Sequence, residues 1–331
     1  MTSFWKNLFR QELPVLNVTM LGPGGVGKTS LLAAMYDQFD NVSQDLQLRA
    51  EEQSKSELKT RLKELKSMVE SSSSIKVKDG VSGTKGKPRS FKFKFGQTGT
   101  APALEINFQD YPGGWLEGDE HKNKVKDLIR DSVAVLIPIN TPPLMEKREG
   151  KDDYGKYHEK FNQPTQLNDL FQTIYEDLDS PRLVILAPVK CEKYMKNPPE
   201  LFKKVREGYK PMLNQFASEK LLPKVAVVIT PVQTVGSVVF SRVEEIDDQP
   251  IFYYCKAQPS DPYQPKNTEV PLRYLLRFLL KLHLDTRRAS IFTRIQDSFG
   301  RNVGLQNAVS RFAEPRTDEA DIIQGIEWLK L

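Results

Sequence analysis

Residues 22–29 read Gly-Pro-Gly-Gly-Val-Gly-Lys-Thr, which fills the spacing G-x-x-x-x-G-K-[ST] at every position. A run of this kind holds phosphate. Gly22, Gly24, Gly25 and Gly27, with Val26 among them, let the backbone curl so that successive N–H groups face an anion. The helix expected to follow, GKTSLLAAMYDQF, adds the positive end of its dipole. Lys28 is then placed to reach the β- and γ-phosphates and the Thr29 hydroxyl to ligate Mg²⁺, with Ser30 as the last member of the binding stretch. A merely glycine-rich turn is the plain alternative.

A phosphate loop of this type needs a second carboxylate on a neighbouring strand for the metal's outer shell. Asp110 ends the apolar run ALEINFQD, and Asp110-Tyr-Pro-Gly113 reads as D-x-x-G. In GTPases the glycine of that motif offers its N–H to the γ-phosphate, so the segment senses whether the γ group is there. The alternative is an Asp that caps the next turn. Lys28, Asp110 and Gly113, with a switch threonine, make up the expected catalytic set. That threonine follows from topology. If 90–96 runs antiparallel to 103–110, the turn 97–102 lies away from Asp110, and Thr98 and Thr100 are on the wrong side. Thr84, just before the strand, is on the right side and is expected to join Thr29 and Asp110 at Mg²⁺, against the plainer reading of a polar loop residue.

Guanine is selected in GTPases by [NT]-K-x-D after a later strand: the lysine lies over the base and the carboxylate accepts its N1 and N2 hydrogens. Here RLVILAP runs into Val189-Lys190-Cys191-Glu192, with Lys190 in place and Glu192 standing for Asp. An ordinary surface Lys–Glu pair is the competing reading. The glutamine that orients water in Ras-like enzymes is replaced after D-x-x-G by Gly114 and Trp115. Slow intrinsic hydrolysis is expected, with the missing group supplied by a partner or by Glu117 or His121.

These residues require an α/β frame. VLNVTML (15–21), SFKFKFG (90–96), ALEINFQD (103–110), VAVLIPIN (133–140), RLVILAPVK (182–190) and KVAVVITPV (224–232) read as six strands. SFKFKFG alternates apolar and basic residues, the mark of an antiparallel edge. Helical candidates lie at about 120–131, 165–178 and 199–218. This predicts a P-loop NTPase (Ras-like GTPase) fold with a mostly parallel six-stranded sheet and helices on both faces. Leu58, Leu62, Leu65 and Val69 predict an inserted amphipathic helix over about 46–70, within an insertion reaching 74. The basic stretch 75–94, with seven Lys or Arg against one Asp, overlaps the switch threonine and reads as a solvated sheet face or partner surface rather than a nucleic-acid site. A hairpin (SVVFSRVEEI, PIFYYCKA) and helices at about 269–284, 286–299 and near the C-terminus close the chain. The expected organisation is an N-terminal amphipathic segment, 1–13 (Phe4, Trp5, Leu8, Phe9), a GTPase domain, 14–284, and a helical appendage, 285–331 (Ile291, Ile295, Phe299; Ile322, Ile326, Leu329).

Composition sets the outer bounds. The 331 residues are 39% hydrophobic and 27% charged, with net charge +5, and contain no apolar run near the ~18 residues a membrane helix needs. Two cysteines, Cys191 and Cys255, and scattered His121, His158 and His283 form no metal-ligand spacing, which points to a reducing, cytoplasmic setting.

The order of motifs resembles the TRAFAC class of P-loop GTPases, and within it the bacterial double-GTPase-like families of multi-component conflict (defence) systems. The likeness rests on GPGGVGKTSLL, Asp-Tyr-Pro-Gly-Gly, INTPPLME (139–146), TPVQTVG (230–236) and Pro271-Leu272-Arg-Tyr-Leu-Leu276, and spans about 14–284. It implies that TPVQTVG contacts the guanine oxygen, with Thr234 nearest. It implies GTP or GDP with Mg²⁺ as cofactors and a GTP-binding regulatory switch within a multi-protein assembly. Other subunits would dock through the switch regions, the N-terminal stripe or the C-terminal helices, without direct nucleic-acid binding and with membrane contact not favoured. An ATP-dependent phosphotransferase or ATPase, or a structural subunit that keeps its nucleotide, stand as alternatives; Arg130, Arg148 and Arg206 are too scattered to form a kinase lid.

Overall fold

A computed structural model describes residues 13–71, 74–77, 88–116, 119–146, 156–247, 249–256, 258–284, 303–314 and 320–330. The β-branched run VLNVTM forms β1 (Val15–Met20), which lies between β5 (Leu104–Asp110) and β6 (Ala134–Asn140) and is parallel to both. Two further parallel strands, β7 (Arg182–Val189) and β8 (Val225–Ile229), follow outward from β6. Every residue of β6, β7 and β8 is buried, as parallel strands with helices on both faces require.

Successive residues of these strands feed opposite cores. Leu136, Leu183 and Ile185 pack with Leu31, Met35 and Phe39 of α1 (Lys28–Val42). Val135, Ile137, Val184 and Leu186 pack on the other side with α3 (Asp119–Arg130), α6 (Pro164–Ile174), α7 (Pro198–Gly208) and α8 (Lys210–Phe216). The span 199–218, expected as one helix, is thus two. Pro211 brings no backbone N–H, so it sits in the first turn of a new helix instead of continuing the old one.

Among the described residues the large sheet has eight strands where six were expected, in the order β11 (Asp321–Gln324), β8, β7, β6, β1, β5, β4 (Arg89–Gln97) and β2 (Leu46–Ala50). One addition is β2 (Leu46–Ala50), in the stretch assigned to the inserted helix. Leu46 and Leu48 alternate with Gln47 and Arg49, a period of two, and α2 (Glu52–Ser71) begins only afterwards, burying Leu58, Leu65 and Val69 of the predicted face and leaving Leu62 half-buried. As a result β4 (Arg89–Gln97) is not the edge: it lies between β5 and β2, antiparallel to each. Its Phe91, Phe93 and Phe95 are buried, whereas Lys94 faces solvent and Lys92 lies 3.8 Å from Glu105. The other addition, β11 (Asp321–Gln324), pairs antiparallel with β8, so Ile322 belongs to a strand and not to the helical series with Ile326 and Leu329. From β8 to β5 the sheet is parallel throughout, an arrangement consistent with a P-loop GTPase-like fold.

The described C-terminal residues pack into the first core. Leu305, Val309 and Phe312 of α10 (Val303–Phe312), and Trp328 and Leu329 of α11 (Ile326–Leu329), join the cluster that contains β1 and α9 (Val270–Leu284). Arg273 and Arg277 of α9, both buried, donate to the carbonyl oxygens of Glu314 and Ala313. The expected hairpin is present as β9 (Val238–Ile246) and β10 (Gln249–Lys256), and with β3 (Ser74–Val77) it makes a separate antiparallel sheet. That sheet rests on α5 (Lys156–Asn162), where Tyr157 and Phe161 meet Phe252 edge-on; α4 (Thr141–Met145) precedes it. The N-terminal stripe and the 286–299 helix lie outside the described residues. Among the described residues no helix is long and apolar enough to cross a membrane.

Candidate nucleotide-binding site

The glycine-rich loop leaves the C-terminal end of β1 and turns into α1 through Gly27, whose φ of 111° is open to glycine and strained for any other residue. Lys28 folds over the loop it follows: its Nζ donates to the carbonyl oxygens of Gly22 at 2.7 Å and Pro23 at 3.1 Å. Burial lowers the Lys28 pKa, and the Asp110 carboxylate, 3.9 Å away, works against that shift. Ser30 stands half-buried in the first turn of α1.

Because β5 is parallel to β1 and pairs Met20 with Asp110, the carboxylate arrives beside the start of α1. Thr29 Oγ1 donates to Asp110 Oδ2 at 2.9 Å, so the two oxygen groups expected at a metal meet in the fold. Both are hard oxygen donors, suited to Mg²⁺. Among the described residues no three His, Cys, Asp or Glu side chains converge as a metal cage, and a cation here would complete its shell with phosphate oxygens and water.

Beyond Asp110 the chain runs directly against the loop. A Cβ placed on Gly113 would stand 1.9 Å from the Gly24 nitrogen, a separation only glycine permits. Tyr111, unassigned from the sequence, is fully buried, and its hydroxyl accepts the Gly22 N–H at 3.1 Å. Burial raises the pKa of this phenol, which keeps it neutral. Its signal in the sequence is an aromatic inside D-x-x-G, where a small residue would leave the Gly22 N–H without this partner.

The residues expected at the base converge from two loops. Lys190, in left-handed conformation at φ 57°, reaches back to the P-loop, with Nζ 3.4 Å from Gly25 O. Burial brings its pKa down to about 8, with Glu192 opposing the shift. Glu192 is buried, and its Oε1 accepts the N–H groups of Gly236 at 3.2 Å and Val235 at 3.4 Å, next to buried Thr234. Desolvation raises the Glu192 pKa, moderated by those N–H groups and by Lys190. The 230–236 loop is braced from behind. Gln233 and Lys266 exchange backbone hydrogen bonds at 3.0 and 2.9 Å, and Gln264 N donates to Val235 O at 3.0 Å. This brace, 29 to 33 residues further along the chain, carries no local sequence signal.

Thr84 and Glu117 lie outside the described residues. The β4–β5 register does pair Arg89 with Asp110, and it sends the Gln97–Pro102 turn to the opposite end, as the topology required. Trp115 stacks on His121 with ring centroids 4.4 Å apart, and Gly114 is exposed.

No family model matches the chain, and no curated protein matches it either. Among solved structures, one that matches is the GTPase-like domain of Ski7 from S. cerevisiae, bound to GTP, with 12% identity and a TM-score of 0.41. The match covers 68% of this chain and 44% of that one, so the chain spans less than half of that structure's length. A likeness this distant adds nothing to the geometry above.

Proposed function

We propose that this chain is a GTP-binding switch with slow, Mg²⁺-dependent hydrolysis, acting as a subunit of a bacterial multi-protein assembly of the defence type that its motif order resembles. The observation that carries the reading is the convergence on one loop: Lys190 Nζ lies 3.4 Å from Gly25 O, while Thr29 and Asp110 meet at 2.9 Å at the loop's other end. A nucleotide lying along the P-loop would have its base against Lys190 and Glu192 and its terminal phosphates at Lys28. The Lys28 ammonium would leave the Gly22 and Pro23 carbonyl oxygens and neutralise phosphate charge there. Bound Mg²⁺ would supply neutralisation of phosphate charge. Thr29 and Asp110 would orient it, with Thr84 as the switch hydroxyl, and Gly113 would present its N–H to the γ-phosphate. The water-orienting group would come from a partner or from a local residue, Glu117 or His121, the latter stacked on Trp115. Exposed Gly114 marks the segment such a partner would read, alongside the N-terminal stripe.

Titration of the purified full chain with fluorescent GDP and fluorescent ADP tests the base. The expected result is a preference for GDP of at least about tenfold, about 1.4 kcal/mol, reduced in Lys190→Ala. Tight ADP binding with no GDP binding overturns the guanine assignment.

A further inference from the structure

The Asp110–Gly113 segment touches the P-loop along its length. Asp110 holds Thr29 at 2.9 Å, Gly113 packs on the Gly24 backbone, and between them Tyr111 reaches Gly22 at 3.1 Å. The tyrosine contact joins the segment to the first residue of the loop: the buried Gly22 N–H is taken by a side-chain hydroxyl on the very segment that follows the γ-phosphate. The ring also lies beneath the loop, with its centroid 5.4 Å from Lys28 Nζ.

We propose that Tyr111 is a positioning residue that ties the Asp110–Gly113 segment to the P-loop, so that a displacement of either one is felt by the other. The inference rests on the phosphate-site reading above and does not depend on which base is bound. A displacement of about 1 Å carries a 3.1 Å bond past hydrogen-bonding range and leaves a buried N–H without an acceptor. The segment therefore cannot reposition for a γ-phosphate without moving Gly22 or losing that bond. By linkage, whatever the γ-phosphate does to the segment must appear as a difference in affinity between triphosphate and diphosphate.

Tyr111→Phe keeps the ring and its volume and removes only the oxygen. Dissociation constants for GTPγS and GDP, measured by calorimetry with Mg²⁺ on the full chain, give the ratio that reports coupling. The variant is expected to change that ratio by at least about fivefold while both nucleotides still bind. A residue that merely supports the fold would change both constants by one common factor, and that result, or an unchanged ratio, overturns the proposal. Should the variant fold poorly, hydrogen exchange at the Gly22 amide of the unaltered protein serves instead: its protection should differ between the GTPγS and GDP complexes, and equal protection overturns the proposal. The same measurements with ATPγS and ADP separate the two readings. An unaltered protein that binds only the adenine pair refutes the guanine assignment and moves the Tyr111 test to that pair; one that binds neither refutes both.

Discussion

Replacing Gly113 by Ala adds one methyl group where two backbones meet. The added Cβ would fall 1.9 Å from the Gly24 nitrogen and 2.5 Å from the Pro23 carbonyl carbon, where real contacts stay beyond 3.0 Å. No side chain can swing aside, so the Asp110–Gly113 segment and the P-loop must part by at least about 1 Å, with an overpacking cost of about 1–3 kcal/mol. That separation stretches the Tyr111–Gly22 bond, now 3.1 Å, and the loss of a buried hydrogen bond adds about 1–3 kcal/mol. A total destabilisation of about 2–6 kcal/mol follows, with part of it relieved if the segment simply swings out. The neighbouring glycine supplies the control: Gly114 is exposed, and a Cβ there has nothing within 4 Å. Urea unfolding of Gly113→Ala and Gly114→Ala should therefore give a large loss for the first and a change within about 0.5 kcal/mol for the second. If the segment swings out instead of the whole fold weakening, the loss appears as weaker nucleotide binding, about tenfold for each 1.4 kcal/mol. Equal stability and equal nucleotide affinity in the two variants would refute the reasoning, because they would mean that the two backbones do not touch.

Two further outcomes follow from other parts of the molecule. His158 is buried between Asn162, whose amide donates to Nδ1 at 2.9 Å, and the Gly208 carbonyl oxygen 3.3 Å from Nε2, and burial lowers its pKa to about 4 from 6.5. A histidine depressed in the folded state stabilises fully above its unfolded pKa, and that contribution is lost as pH falls from about 6.5 to 4. Unfolding free energies measured across that window should drop by about 3 kcal/mol more in the unaltered chain than in His158→Gln, and parallel pH profiles would refute the assignment. Trp328, buried against Phe278 with centroids 6.1 Å apart, belongs to the main core, so Trp328→Ala should cost about 3–5 kcal/mol in chemical denaturation. A loss below about 1 kcal/mol would instead mark the C-terminal residues as a detachable appendage.

The geometry of the glycine-rich loop was legible because its requirement is local. Glycines, a lysine and a threonine at fixed spacing dictate the backbone curl whatever surrounds it, and a strand before and a helix after are adjacent in the chain. Strands β6, β7 and β8 were legible for a similar reason, since a continuous apolar run of that length has few places to go but a doubly covered sheet. Where two local signals competed, the longer one hid the shorter. The helical spacing of Leu58, Leu65 and Val69 masked the strand at Leu46 and Leu48, and the series Ile322, Ile326, Leu329 masked a strand that forms only because β8 offers it an open edge. Local propensity cannot announce a partner that lies far along the chain.

Pairing was decided by the tertiary structure alone. Asp110 reaches Thr29 because β5 lands beside β1 in a register that matches Met20 with Asp110; Tyr111 meets Gly22, and Glu192 meets Gly236, through the same stacking of strand ends. The sequence by itself determined which residues could hold a phosphate. Which of them touch, and through which backbone N–H groups, depended on strand order and register, because a parallel sheet brings its C-terminal ends into one row however distant those residues are along the chain.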